Sequence, residues 1–342
     1  MRQEHEVLAG RLRSQADGCT QLGSPFYGAL LGAAARDLEA DGPTWDLLAP
    51  FAAEPGTAAL ALRLMGAVHA LVLEGALPEL AAHYPSTGGD GDPAAAWPIF
   101  RQALSDQGAT ISQRLARGCQ TNEVGRSAAL LGGFLEAAHR SGLPLRILEV
   151  GASAGLNLRW DHYRYEALEG AWGDTASPVR FDHSFDVPPP LNRTAEVVER
   201  LGCDLEPIDA TSEDGALRLR SFVWADQLSR LSLLDGAIQL AREVPAAVER
   251  IDAADFVARE LAERRSGAAA VVYHSVFMQY LPAETRERLV STVDEARRGA
   301  REGAPVYYLR MEPGDATFEI RLDDDLMGVC SAHGTGVVWL AS

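Results

Sequence analysis

The sequence predicts an α/β protein in two parts. An all-helical domain occupies residues 1–141, and a mostly parallel sheet with an antiparallel last strand occupies 142–342. Three observations carry this reading. No convincing strand pattern occurs before residue 145. From Leu145 onward, short apolar runs alternate with helical periodicity, as parallel strands joined by crossover helices do. The last strand-like runs follow one another without a helix between them, which adds an antiparallel edge. At about 150 residues per domain, a chain of 342 residues also suggests two.

The helical part opens with a polar amphipathic helix over 1–16. Ser24 and Pro25 supply an N-cap and a first-turn proline for a helix over 25–40. Leu60, Leu64, Ala67 and Leu71 recur at helical spacing within 57–74. The apolar stretch 58–77 is interrupted by Arg63, His69 and Glu74, so it reads as a buried helix rather than a membrane span. Residues 86–93 are a loop by composition, and helices follow over 97–116 and 122–139. Gly142 and Pro144 then end the helical part.

The sheet part begins with a strand over 145–150, a turn at Gly151 and helical periodicity over 156–166. Further strands are expected at 179–185, 247–251, 269–277, 306–311, 317–322 and 337–340, with helices at 230–242, 254–264 and 283–299. Residues 188–245, which include F-V-W-A-D-Q at 222–227, read as an insertion able to cover a site. Asp323 to Asp325 read as a solvated turn between the last strands.

Charge narrows the partners. Acids outnumber bases 48 to 31, a net charge of −17. Such a surface repels phosphate backbones and anionic membranes, so a small molecule or a protein is the expected partner. Every base is Arg, which codon bias in a GC-rich genome explains. With no Lys, Schiff-base chemistry and a G-x-x-x-x-G-K phosphate loop are excluded. Cys19, Cys119, Cys203 and Cys330 form no C-x-x-C pair, and Asp182-His183 is too sparse for a metal site, so no metal is expected. The charged first ten residues lack a secretory h-region, and a cytoplasmic location is expected.

The richest segment is R-I-L-E-V-G-A-S-A-G-L-N-L at 146–158. Gly151 suits a tight turn and Gly155 a close backbone approach, with N–H groups facing a ligand at the next helix start. The segment resembles the first motif of Rossmann-like S-adenosylmethionine-dependent methyltransferases, with Glu149, Gly151 and Gly155 in place and Ser153 replacing the middle glycine. That resemblance implies that Glu149, Gly151, Ser153, Gly155 and the adjacent Asn157 hold the cofactor. The same residues spell G-x-S-x-G, the nucleophile elbow of serine hydrolases, with Ser153 as nucleophile and His333 as base. The helical stretch upstream and the missing H-G-G-G segment oppose that reading.

Later segments extend the methyltransferase resemblance. I-D-A-A-D-F at 251–256 resembles the Asp-Ala segment beside the adenine, which implies cofactor contacts for Asp252 and Ala253; Asp252 equally suits a helix N-cap. A-A-V-V-Y-H-S-V-F-M-Q-Y-L-P at 269–282 resembles the fourth-strand region. His274, at that strand's end, is the candidate base, with Tyr280 and Gln279 as further polar candidates for catalysis and substrate contact. Glu123 and Arg126 are candidate substrate contacts, or simply a helix start with a solvated ion pair. The second-strand acid for the ribose hydroxyls is sought at Asp182 or Asp186. The whole chain also resembles a bacterial family known as domain of unknown function 2332, through Q-T-N-E-V-G-R-S at 120–127, the 151–165 segment, F-V-W-A-D-Q and Y-H-S-V-F-M-Q-Y-L-P. The expected function is methyl transfer to a small molecule or protein. The rival is a non-catalytic ligand-binding or regulatory protein of the same fold, and a serine hydrolase is the third reading.

Overall fold

The computed structural model describes residues 2–263 and 265–341. Met1 and Arg264, the expected ends of two helices, lie outside the described residues. The chain divides into two compact units, 1–121 with 213–232, and 122–212 with 233–342. The break in contacts thus falls at 121/122 rather than near residue 142, because the next helix packs on the sheet.

The first unit contains α1 (Arg2–Gln21), α2 (Pro25–Glu39), α3 (Pro43–Leu48), α4 (Leu60–Leu73), α5 (Pro78–Ala81), α6 (Pro93–Asp106) and α7 (Gly108–Leu115). Leu30, Leu64, Met65, Val68, Tyr84 and Phe100 form its core. The polar residues within α4 are neutralised in place. Arg63 donates to the Leu115 carbonyl and pairs with Glu54. His69 donates from Nδ1 to the Ser221 carbonyl (3.1 Å) and accepts at Nε2 from Ser86 Oγ (2.8 Å). Burial pulls the His69 pKa down to about 4. Residues 222–227, expected in a covering insertion, belong to this unit's interior: Trp224 and Ala225 join its core. Asp226, rather than Ser24, caps α2, accepting from the Phe26 N–H at 3.1 Å. Among the described residues, no helix is long and apolar enough to cross a membrane.

The second unit opens with α8 (Arg126–Ser141) and β1 (Leu145–Val150). A short 3-10 turn, Leu156–His162, replaces the helix expected over 156–166. The reason lies in Tyr163 and Tyr165, which alternate as strand residues do and are both buried. Their hydroxyls donate back to the Leu156 and Trp160 carbonyls. Trp160 stacks on Phe134, ring centroids 4.4 Å apart, which fixes the turn. The chain continues through β2 (Arg164–Ala167), β3 (Gly170–Trp172), β4 (Arg180–Phe181) and β5 (Phe185–Val187) to β6 (Val197–Asp204). After α9 (Glu213–Phe222), which belongs to the first unit, and α10 (Leu228–Glu243), which begins in it, come β7 (Ala247–Arg250), α11 (Ala253–Ala262), β8 (Ala269–Ser275) and α12 (Ala283–Arg298). The unit ends with β9 (Val306–Pro313), β10 (Phe318–Leu322), β11 (Asp325–Cys330) and β12 (Val337–Trp339).

Nine strands form one mixed sheet in the order β5-β12-β11-β10-β9-β8-β1-β6-β7, and β3-β2-β4 form a small second sheet. The run β7-β6-β1-β8-β9 is parallel throughout. Beyond it, β9 to β12 pair antiparallel, so the antiparallel edge is broader than one strand. Two expectations fail together here. Residues 188–245 are not simply an insertion, because they contain β6, the parallel neighbour of β1. Asp186 sits in β5 at the opposite edge of the sheet, and Asp182 is exposed just before it, so neither stands beside β1. The strand that does stand there ends in Asp204.

Candidate functional site

The sheet has a switch point. From β1 the chain proceeds to β6 and β7 on one side, then returns to β8 on the other. Open α/β sheets bind ligands outside the carboxyl ends of the strands at such a point. The carboxyl ends here carry Glu149 and the glycine turn after β1, Asp204 on β6, Asp252 after β7, and Ser275 to Phe277 after β8.

The turn is left-handed three times, at Gly151 (φ +68), Ser153 (φ +53) and Gly155 (φ +66). A Cβ on Gly151 would lie 2.2 Å from the Phe277 ring, so a side chain of the protein occupies the approach that glycine opens. The backbone donors are also used. Ala152 N–H donates to the Cys203 carbonyl and Ser153 N–H to Asp204 Oδ2, both at 2.9 Å. Gly155 N–H donates to the Ala152 carbonyl, and Leu156 N–H to Asn122 Oδ1. These four of the expected donors facing a ligand are therefore directed into the protein. Ser153 Oγ at the same turn is buried with no hydrogen-bond partner among the described residues.

Glu149 is buried and accepts a hydrogen bond from Tyr273 Oη at 3.2 Å. Burial pushes its carboxyl up to about 8, which the Tyr273 hydrogen bond and the positive field of Arg159 only partly oppose. Asp204 accepts from both Ser153 N–H and Glu206 N–H. Asp252 accepts from Ala254 and Asp255 N–H as the N-cap of α11, and Ala253 joins the core beneath it. Asn157 is spent inside the unit, accepting from Ser127 Oγ (2.8 Å) and donating to the Glu123 carbonyl (3.2 Å).

His274 is fully buried. Its Nδ1 donates to Glu312 Oε1 at 2.7 Å, and its Nε2 accepts from Tyr308 Oη at 2.8 Å. Glu312 Oε1 also accepts from Phe277 N–H and Met278 N–H. Burial raises the Glu312 pKa, but the His274 bond and these amides outweigh it and hold the carboxyl below its usual range. His274 thus positions Glu312, which pins a turn strained at Val276 (φ +51). Gln279 and Tyr280 follow on a short 3-10 turn and are exposed.

Residues 9–339 match the family described as "Uncharacterized protein conserved in bacteria (DUF2332)". The chain belongs to this family. No curated protein and no solved structure matches the chain. Within this DUF2332 chain, the Q-T-N-E-V-G-R-S segment buttresses the glycine turn and the β8 end. Asn122 holds Leu156 N–H, as described above. Glu123 is buried and accepts from His333 Nδ1 at 3.1 Å. Arg126 donates to the Ser275 carbonyl (3.1 Å) and the Ala332 carbonyl (3.2 Å). His333 is thus tied to Glu123, and no hydrogen bond joins it to Ser153. The sequence reading missed Asp204 and Glu312. An acid closing a strand, as in V-V-E-R-L-G-C-D, was the available signal for the first. All four cysteines are free. No group of three or more His, Cys, Asp or Glu able to hold a metal occurs among the described residues.

Proposed function

We propose that this DUF2332 chain binds S-adenosylmethionine at the carboxyl edge of β1, β6 and β7 and transfers its methyl group to a small molecule or a protein. One observation carries the reading: three neighbouring parallel strands lead to Glu149, Asp204 and Asp252 around a turn with three left-handed residues. Ribose hydroxyls and an ammonium group are donors that carboxylates such as Asp204 accept. The order β7-β6-β1-β8-β9 supports it, since third-second-first-fourth-fifth is the order of doubly wound nucleotide-binding sheets. The unpartnered Ser153 Oγ fits too, as a polar atom that a ligand at the turn would satisfy. Bound there, the cofactor supplies an activated methyl group. The chain's part would be to hold it, Asp204 through the ribose and Ser153 at the methionine end. A second reading, ligand binding without transfer, is favoured by His274, whose two ring nitrogens are both engaged.

The test is thermal shift and equilibrium dialysis with S-adenosylmethionine and S-adenosylhomocysteine. At one hundred times Kd a ligand stabilises the native state by about 2.7 kcal/mol, which a melting curve resolves. Asp204→Ala is expected to weaken binding at least tenfold. No shift at millimolar ligand, or unchanged affinity in Asp204→Ala, sinks the cofactor proposal. Binding with no methyl transfer to any added substrate favours the second reading.

A further inference from the structure

A second feature of the same unit borders the acid-tipped edge, with Ala154 of the glycine turn in its wall. Over β6 and β7, beneath the 207–211 loop and the end of α10, is a cleft of about 970 Å³, within the usual range for small-molecule sites. Its floor is apolar: Val197, Val198, Val248 and Ile208 line it. Val198 is 53% exposed, at the bulge in the β1–β6 pairing and ahead of the residues that β7 pairs. An aliphatic side chain left open at such a bulge, beside a cleft, is surface that a ligand can cover.

The charges around the floor are not balanced. Arg200 forms a two-pronged pair with Asp161, at 2.6 and 3.0 Å. Glu199 is neutralised by Arg146 and Arg265. Asp209 is satisfied by the Thr211 N–H (2.9 Å) and hydroxyl (2.6 Å). Arg159 is different. It is only 4% exposed, yet its Nε and Nη1 donate to two carbonyls, Val244 and Gly155, both at 2.7 Å. No carboxylate stands within ion-pair distance of it among the described residues. Carbonyls satisfy its hydrogens but leave its charge uncompensated, and a guanidinium cannot shed that charge by releasing a proton. Arg242, exposed at the rim, adds a second cation with no ion pair among the described residues. A cationic cleft on a chain of net charge −17 attracts anions that the rest of the surface repels.

We propose that this cleft is a binding site for a small organic anion, a carboxylate or phosphate on an apolar body, whose charge pairs with Arg159. The apolar part lies along Val197, Val198 and Val248, and Arg242 guides entry. The site does not rest on the methyl-transfer reading, and it uses none of Glu149, Asp204 or Asp252.

The experiment is isothermal titration of the whole chain with decanoate, octyl phosphate and decylamine. Variants are Arg159→Gln, Val198→Asp and Arg242→Glu, each checked for native circular dichroism. The expected result is one saturable site for at least one of the two anions and none for decylamine. The stronger anion identifies the head group. Affinity should fall at least tenfold in Arg159→Gln and Val198→Asp and about fivefold in Arg242→Glu. Arg242→Glu and Val198→Asp change exposed side chains, so they keep the test decisive if Arg159→Gln does not fold. Absence of saturable anion binding at millimolar concentration overturns the proposal. So does equal binding of decylamine, or wild-type affinity in Val198→Asp.

Discussion

Replacing Glu149 with Gln should change how stability depends on pH, in a direction the structure fixes. The Glu149 carboxyl is buried, and its pKa rises from the ordinary 4.5 to about 8. At about 1.36 kcal/mol per pH unit, ionisation in the native state is costlier by about 5 kcal/mol. Below pH 4.5 both folded and unfolded chains hold the proton, and the residue costs nothing on this account. Between 4.5 and about 8 the native state keeps a proton that the unfolded state has released, so stability falls as pH rises through that window. The amide introduced by Glu149→Gln has no proton to lose. The stability of Glu149→Gln relative to wild type should therefore climb by about 1.4 kcal/mol per pH unit, or nearly 3 kcal/mol between pH 5.5 and 7.5. Urea unfolding at the two pH values measures it. Near-ultraviolet circular dichroism reports on the second unit, because Trp160 and Trp172 stack there at 5.2 Å. Parallel pH profiles for the two proteins, within about 0.5 kcal/mol, would show that the carboxyl is solvated and that its burial was misjudged.

Two further tests probe each unit separately. Gly151→Ala should destabilise by at least about 2 kcal/mol, since a Cβ would strike the Phe277 ring at a backbone φ of +68. Adding Phe277→Ala should recover part of that loss, and a double-mutant cycle showing strict additivity would mean that the contact is not made. In the helical unit the sign of the pH effect reverses. His69, lowered from 6.5 to about 4, should cost about 3 kcal/mol as pH falls from 6.5 to 4, because the unfolded state protonates first. A carbon-bound proton of His69 that titrates near 6.5 by nuclear magnetic resonance would refute its burial.

The parallel core was legible because its strands are short apolar runs ended by glycine, acid or proline: β1 matches its expected bounds, and β7, β8 and β9 lie within a few residues of theirs. β6 was not legible. Its Glu199 and Arg200 sit in the middle of a strand and break the apolar pattern, since each is neutralised by a partner distant in sequence, Arg146 and Asp161. The turn at 156–162 misled for a related reason. Leu156, Leu158 and Trp160 suit a helix locally, but the buried Tyr163 and Tyr165 impose strand alternation. Among the site residues, the glycine turn and Glu149 could be placed from sequence, as both belong to one continuous strand–turn segment. Glu312 could not, because its role depends on the pairing of β9 with β8, which brings it to His274.

The absence of lysine sharpens the contrast among the buried cations. Arg63, Arg146 and Arg159 are the buried arginines among the described residues. A guanidinium has five donors in a rigid plane, so it can reach a backbone carbonyl and a carboxylate together. Arg63 does this with Leu115 and Glu54, and Arg146 with the Glu260 carbonyl, the Glu260 carboxylate and Glu199. Both therefore have a carboxylate against the buried charge. Codon bias explains why the chain carries arginine instead of lysine, but not why Arg159 alone should lack an acid. The acid whose field it feels, Glu149, has its ionised form disfavoured by burial and is mostly protonated at neutral pH. An uncompensated cation retained beside an open apolar cleft is costly to folding. That cost has a purpose if the counter-charge arrives with a ligand, and Glu149→Gln then separates the two sites: it should leave anion binding in the cleft unchanged while it alters the pH profile of stability.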